Sequence, residues 1–465
     1  MKYRIEKDSM GEIKVPANAY YGAQTQRAVE NFPVSGETMP FEFIKAVVLI
    51  KLAAAKVNMK LGLIDKKIGK AIVKASKEIL KGKFKDQFPV DVFQTGSGTS
   101  TNMNVNEVIA TRANEILTGK RITKHPVHPN DHVNFGQSSN DVIPTAIHIS
   151  SMLELKNHLY PALKKLEKSL NKKAKEFDHI VKIGRTHLQD ATPIRLGQEF
   201  SGFATQIKHG IKRIKNTENY LKELAIGGTA VGTGLNTHPD FGKLVAEEIS
   251  KLTGIKFVEA ENHFEAQSAK DAVVELSGAL KTVAVSLMKI ANDIRWMGSG
   301  PRCGIGEIFI PPVQPGSSIM PGKVNPVIAE SVCQVSAQII GNDTVITVAG
   351  QSGNFELNVM MPVIAYNILK SIKLLSNVSE IFVDKCIDGI KANEERCNEC
   401  LEKSLAMVTA LVPKIGYDKA AEIAKEAYEN NKTIRGLLIE KKVLPEEEIN
   451  KILDPYKMTV GGIIK

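Results

Sequence analysis

The stretch AKDAVVELSGALKTVAVSLMKIANDIRWM, Ala269 to Met297, decides the fold class. Val273, Leu276, Leu280, Val283, Leu287, Ile290, Ile294 and Met297 follow one another at alternating intervals of three and four, an unbroken seam along one helix face. A helix with such a seam packs lengthwise against others at a shallow angle. At ~1.5 Å per residue it is a rod of roughly 45 Å. Related periodicities recur over Val142–Phe177, Gly197–Leu224, Asn325–Ala349 and Pro362–Val383, so the sequence predicts a mainly α protein with a central five-helix bundle over 138–391. Residues 1–137 carry shorter helical patterns and turn-rich loops. After residue 391 the pieces are short and broken at Pro413, Pro445 and Pro455. Three domains are expected: 1–137, mostly helical; 138–391, the bundle; and 392–465, small and helical.

Bulk properties narrow the function. The 465 residues are 43% hydrophobic and 24% charged, the balance of a folded soluble chain. MKYRIEKDSMGEIKVP mixes acids with bases and has no apolar core, so it reads as neither a secretory nor a transit signal. The richest apolar stretch, Phe43 to Ile64, is cut by lysines and falls short of a membrane span. A cytoplasmic location follows as the expectation. Five cysteines are odd in number and few for this length, which argues against a disulfide framework. Cys397 and Cys400 make a lone C-x-x-C in an acidic helical segment and read as two reduced thiols. The net charge of +10 is spread over lysine-rich helix faces with glutamates among them, as in LKKLEKSLNKKAKEF, so a solvated surface explains it better than nucleic acid does.

Polar glycine-containing loops stand at the ends of the long segments. TGSGTSTNMN (Thr95 to Asn104) offers hydroxyls and free N–H groups at a helix start, a setting for a carboxylate as well as for ordinary capping. GQSSNDVIP puts Ser138, Ser139 and Asn140 just before a helix. IGRTHLQDATP surrounds Thr186 and His187 with polar groups between helices. In HPVHPNDH, three histidines have metal-ligand spacing, but Pro126 and Pro129 forbid a regular helix and the spacing loses its meaning. PGSSIMPGKVNP (Pro315 to Pro326) is not a P-loop, because five residues separate Gly316 from Gly322 and Val324 follows Lys323. Its hinges, serine pair, Lys323 and Asn325 suit a lid closing over a small anion, with Glu330 one turn further on as a partner for a histidine.

These loops, in this order and spacing, resemble the aspartase/fumarase superfamily over essentially the whole chain, with GSSIMPGKVNP matching its signature loop. Gly227-Gly228-Thr229, Trp296, Cys303-Gly304-Ile305-Gly306 and Ser352-Gly353-Asn354-Phe355-Glu356 are similar to the class II fumarase branch. The resemblance implies a homotetramer, free of metal and cofactor, that interconverts fumarate and L-malate, with each active site drawn from three subunits. It implies Ser317 as proton-abstracting base and His187 paired with Glu330 at the leaving hydroxyl. Lys323 and Asn325 would neutralise the intermediate, and Ser97, Thr99, Ser138, Ser139, Asn140 and Thr186 would bind the substrate. His128, Asn130 and Asp131 resemble the family's secondary dicarboxylate site. Two departures stand out: His125 replaces an arginine of that site, and Phe135-Gly136 replaces a typical Lys-Ser. The apolar residue at 135 makes aspartate ammonia-lyase the alternative activity; a non-catalytic scaffold of the same fold is the reading from another class.

Overall fold

The computed structural model describes residues 2–463, and its long helices follow the periodicities in the sequence. The chain opens with an antiparallel hairpin of β1 (Tyr3–Asp8) and β2 (Gly11–Pro16), registered from Tyr3↔Pro16 to Asp8↔Gly11. There follow α1 (Ala23–Asn31), α2 (Phe41–Lys60), α3 (Lys66–Leu80), α4 (Thr99–Thr118), α5 (Ser139–Glu154) and α6 (Tyr160–Glu176). A second hairpin, β3 (Val181–Thr186) and β4 (Gln189–Arg195), leads into α7 (Leu196–Asn216), α8 (Glu218–Leu221), α9 (Phe241–Thr253) and α10 (His263–Ser268). The remaining long helices are α11 (Asp271–Met297), α12 (Val327–Gly350) and α13 (Met361–Lys385). Short helices close the chain: α14 (Glu394–Lys403), α15 (Val412–Ile415), α16 (Tyr417–Glu429), α17 (Ile434–Glu440) and α18 (Glu446–Ile452).

The α11 seam behaves as its spacing requires, since every one of its eight apolar residues is at most 4% exposed. Three features depart from the expectations. Tyr3–Asp8 and Gly11–Pro16 pair as strands, IGRTHLQDATP is a hairpin rather than a link between helices, and Val142–Phe177 is interrupted by one π-helical turn at Leu155–Leu159. Alternation in YRIEKD is real but short, and its partly exposed faces give it little apolar contrast.

The contacts group into two compact units, each described on its own. The first comprises the chain up to Pro161, Lys212–Ala284 and Ala337–Ser376. There α2 packs on α3, α5 and α9, and α4 packs on α3 and α5. The second comprises Ala162–Ile211, Val285–Ser336 and the chain from Asn377. Its C-terminal core gathers Leu401, Met407, Leu411, Ile423, Leu437 and Ile449 around Ile183 of β3, which anchors the second hairpin. No helix among the described residues is long and apolar enough to cross a membrane.

Candidate active site

In the first unit two helix N-termini converge. Gly98 caps α4 with φ 72°, a left-handed conformation open to glycine, and a Cβ there would come within 2.9–3.1 Å of Ile143 in α5. Ser97 Oγ and Thr99 Oγ1 share a hydrogen bond of 2.8 Å. Ser138 caps α5 in a capping box: its Oγ accepts from the Asn140 N–H, and Asp141 accepts from the Ser138 N–H at 2.9 Å. Ser139 Oγ accepts from Asn102 Nδ2 at 3.1 Å, which ties the two helix starts together. Asn140 Nδ2 donates to the Ala230 carbonyl at 2.8 Å. The positive ends of two helix dipoles, tied together by the Asn102–Ser139 bond, thus stand in one region lined with hydroxyls. Such an arrangement suits a carboxylate.

Beneath this region lie two fully buried charges. Asp141 accepts from the N–H groups of Ser138, Gly227 and Thr229, and burial raises its pKa to about 6. Lys51, 0% exposed in the middle of α2, donates to Asn134 Oδ1 at 2.8 Å and Gln137 Oε1 at 3.0 Å; burial brings its pKa down to about 7. Next to them, Gly136 adopts φ 71°, and the Phe135 carbonyl accepts from Asn58 Nδ2 and Gln137 Nε2.

His128, Asn130 and Asp131 also belong to the first unit. Pro129 begins a single π-helical turn, Pro129–Val133, and His128 caps it by accepting the Asn130 and Asp131 N–H groups at Nδ1. Asp131 Oδ2 lies 3.3 Å from the same nitrogen. Burial, opposed by Asp131, lowers the pKa of His128.

The second unit carries the remaining groups. Thr186 ends β3, and the two-residue turn that follows is His187-Leu188, with φ of 57° and 61°. Two central residues at positive φ make the tight turn that matches hairpin twist, normally filled by Asn or Gly. The histidine is therefore exposed at the tip of a strained turn. The stem is fixed below: fully buried Glu307 receives Arg185 Nη1 and lies 3.2 Å from Lys182 Nζ. A Cβ at Gly184 would meet the Thr192 carbonyl at 2.5 Å, so the bulge between Ile183 and Arg185 needs glycine.

The segment 315–326 has no regular secondary structure but is closed at its base. The Gly316 N–H donates to the Lys323 carbonyl at 2.8 Å, and Asn325 Nδ2 donates to the Gly316 carbonyl. Within it, Ser317 Oγ accepts from the backbone N–H groups of Ile319 at 3.2 Å and Met320 at 2.9 Å. Among the described residues of the chain itself, His187, Lys323 and Glu330 have no side-chain hydrogen-bond or ion-pair partner. Glu330 sits in the first turn of α12, and Lys323 is exposed.

Comparison with known proteins adds the family. A model described as Lyase matches residues 11–341, and one described as Fumarase C C-terminus matches residues 407–460. Fumarate hydratase class II of Nitrosomonas europaea is 54% identical over 458 residues, covering 98% of this chain and 99% of that protein. The mitochondrial fumarate hydratase of Dictyostelium discoideum is 54% identical over 459 residues, 98% of this chain and 94% of that one. The chain belongs to the class II fumarate hydratase family. A crystal structure of recombinant class II fumarase from Schistosoma mansoni superposes with a TM-score of 0.96 at 42% identity, covering 99% of both chains. The fumarate lyase:delta crystallin of Brucella melitensis reaches 0.95 at 45% identity, over 99% of this chain and 100% of that one.

In this class II fumarate hydratase family member, the sequence marks the loops that carry Ser97, Thr99, Ser138 to Asn140 and the segment 315–326. It missed the groups that hold them, namely Lys51, Asn102, Asp141, Arg185 and Glu307. One signal was present: Asp141, three residues after Ser138, has the spacing of a capping box. Lys51 was visible only as an interruption in an apolar run.

Proposed function

We propose that the chain is a fumarate hydratase, catalysing the reversible anti addition of water to fumarate to give L-malate. Near-complete coverage at 54% identity to fumarate hydratases supports the activity, and the Ser317 geometry carries the mechanism. Removing the proton from the malate carbon beside a carboxylate leaves that carboxyl group doubly negative, an aci-carboxylate. Such a species is reachable only among pre-placed donors.

Ser317 is assigned as the base. A serine hydroxyl is a poor base unless its alkoxide is stabilised, and the N–H groups of Ile319 and Met320 already point at Oγ. The alkoxide takes the carbon-bound proton and becomes the hydroxyl. Lys323 and Asn325 meet the charge that develops. His187, paired with Glu330, then delivers a proton to the C2 hydroxyl, through a water, and the C–O bond breaks to release water and fumarate. Ser97, Thr99, Ser138, Ser139, Asn140 and Thr186 hold the two carboxylates. His128, Asn130 and Asp131 form a secondary anion site.

The site is assigned to three subunits of a homotetramer in which long helices form a shared core. Unpartnered His187, Lys323 and Glu330 support this, as do exposed apolar side chains on α11 and α12, with Val285 at 53%, Trp296 at 51% and Val348 at 48%. The domain division 1–137, 138–391 and 392–465, a cytoplasmic location and a place in the tricarboxylic acid cycle belong to the same reading.

Phe135 favours a second reading, ammonia release from L-aspartate. Purified protein is offered L-malate or L-aspartate separately, and the ultraviolet absorbance of the conjugated double bond is followed. Malate turnover is expected. Aspartate turnover without malate turnover would reverse the assignment, and no turnover of either would point to a scaffold.

A further inference from the structure

A fully buried ammonium is costly, by several kcal/mol per ion, unless its surroundings offset the loss of water. Among the described residues no carboxylate lies within ion-pair distance of Lys51; its two hydrogen-bond acceptors are side-chain oxygens of Asn134 and Gln137. Both lie in the short loop that leads into α5. The hydrogen bonds continue in one direction from there. Asn134 Oδ1, occupied by the ammonium, also accepts from Asn102 Nδ2 at 3.2 Å and from Asn106 Nδ2 at 3.1 Å, while Asn134 Nδ2 donates to the Gln137 carbonyl at 3.0 Å. The same Nδ2 donates to Ser139 Oγ at 3.1 Å. Asn102 Oδ1 is buried with no partner. Turning that amide over would set Oδ1 against Asn134 Oδ1, two acceptors facing each other. The Lys51 ammonium, the one charged donor on Asn134 Oδ1, fixes together with Asn106 Nδ2 and the Gln137 carbonyl which end of Asn134 faces Asn102, and Asn134 fixes which end of Asn102 faces Ser139. Because Ser139 Oγ accepts from Asn102, its own proton is free to be donated elsewhere.

We infer that Lys51 is a positioning residue for substrate binding: acting through Asn134 and Asn102, it holds the Ser139 hydroxyl as a donor toward a substrate carboxylate. This rests on the assignment of Ser139 to carboxylate binding made above. The effect belongs to binding shared by substrate and transition state, so it raises KM more than it lowers kcat.

The test is a cycle of Lys51→Met, Ser139→Ala and the double variant in the full-length protein, with L-malate as substrate and thermal unfolding as the check on folding. Ser139→Ala alone should raise KM roughly tenfold, the size of one hydrogen bond to a charged group. Lys51→Met should raise KM by a similar factor with kcat within about threefold, and should add nothing in the Ser139→Ala background. Should Lys51→Met not fold, Asn102→Ala, which cuts the relay beyond the lysine, takes its place with the same expectation. A folded Lys51→Met or Asn102→Ala with wild-type KM, or effects that multiply in the double variant, overturn the inference while leaving the carboxylate assignment intact. An unchanged KM in Ser139→Ala alone refutes the assignment, and the inference falls with it.

Discussion

Arg185 Nη1 lies 2.9 Å from Glu307 Oε1 and 3.0 Å from Oε2, and this pair braces the strand that ends, one residue later, at Thr186 and the His187 turn. Glu307 is completely buried, and Lys182, itself 1% exposed, approaches the same carboxylate. Left-handed backbone at a non-glycine residue costs roughly 1–2 kcal/mol, and the tip carries two such residues. A turn with that tendency to relax keeps its histidine in place only if its stem is rigid.

Replacing Glu307 with Gln should therefore act twice. It leaves Arg185 without its carboxylate and Lys182 with only the Glu199 carboxylate, at 3.2 Å, which destabilises by about 3 kcal/mol. It also loosens the stem, so kcat should fall at least about tenfold in the fraction that remains folded. Thermal unfolding and malate kinetics measured on one preparation separate the two effects. A normal kcat in a destabilised variant would mean that the brace serves the fold alone.

Ser317→Ala removes the oxygen on which the Ile319 and Met320 N–H groups converge, while Lys323 and Asn325 remain. Binding of a saturated dicarboxylate such as succinate, followed by calorimetry, should persist within a few-fold. Turnover should fall by a factor on the order of 10³ or more, as when a catalytic nucleophile or base is deleted. An alanine variant with near-normal kcat would exclude Ser317 as the base.

The reach of the sequence is set by which interactions are local. The α11 seam is periodic, so its burial could be read residue by residue. The capping serine, the α4 start and the Gly/Pro-rich segment 315–326 announce themselves by composition. The β3–β4 hairpin does not, because its turn uses His-Leu where the favoured pair would be Asn-Gly; the tertiary brace at Glu307, more than a hundred residues away, overrides local preference. Lys51 was illegible for a related reason. A lysine inside an apolar helix reads as a solvent-facing break, and only the arrival of Asn134 and Gln137, more than eighty residues downstream, makes an acceptor site for it.

Gly136 stands where typical fumarases carry serine, and its geometry explains the glycine here. At φ 71° a side chain is strained, and a Cβ would lie 2.7 Å from Thr237 Oγ1. Gly136→Ala should cost roughly 1–2 kcal/mol of stability. Because Gly136 lies between Phe135 and Gln137, the strain should also displace the Lys51 acceptors and raise KM for malate several-fold. Denaturant midpoint and KM both test this. A variant with unchanged midpoint would show that the loop accommodates a methyl group without strain.

His148, on α5, gives the clearest pH prediction. Its Nδ1 bonds the Glu223 carbonyl at 2.8 Å, yet burial outweighs that bond and, with the nearby Lys270 charge, lowers the pKa from 6.5 to about 4. Between those values the unfolded chain binds a proton at this site and the folded chain does not. The contribution to stability is complete above pH 6.5 and is lost as pH falls toward 4. The ring is partly exposed, so the loss is discounted to about 2 kcal/mol. His148→Gln, which can still donate to the Glu223 carbonyl, removes the titration. Urea midpoints at pH 7 and pH 4.5 should therefore differ less in the variant than in the wild type. Equal losses in both would place the acid sensitivity elsewhere.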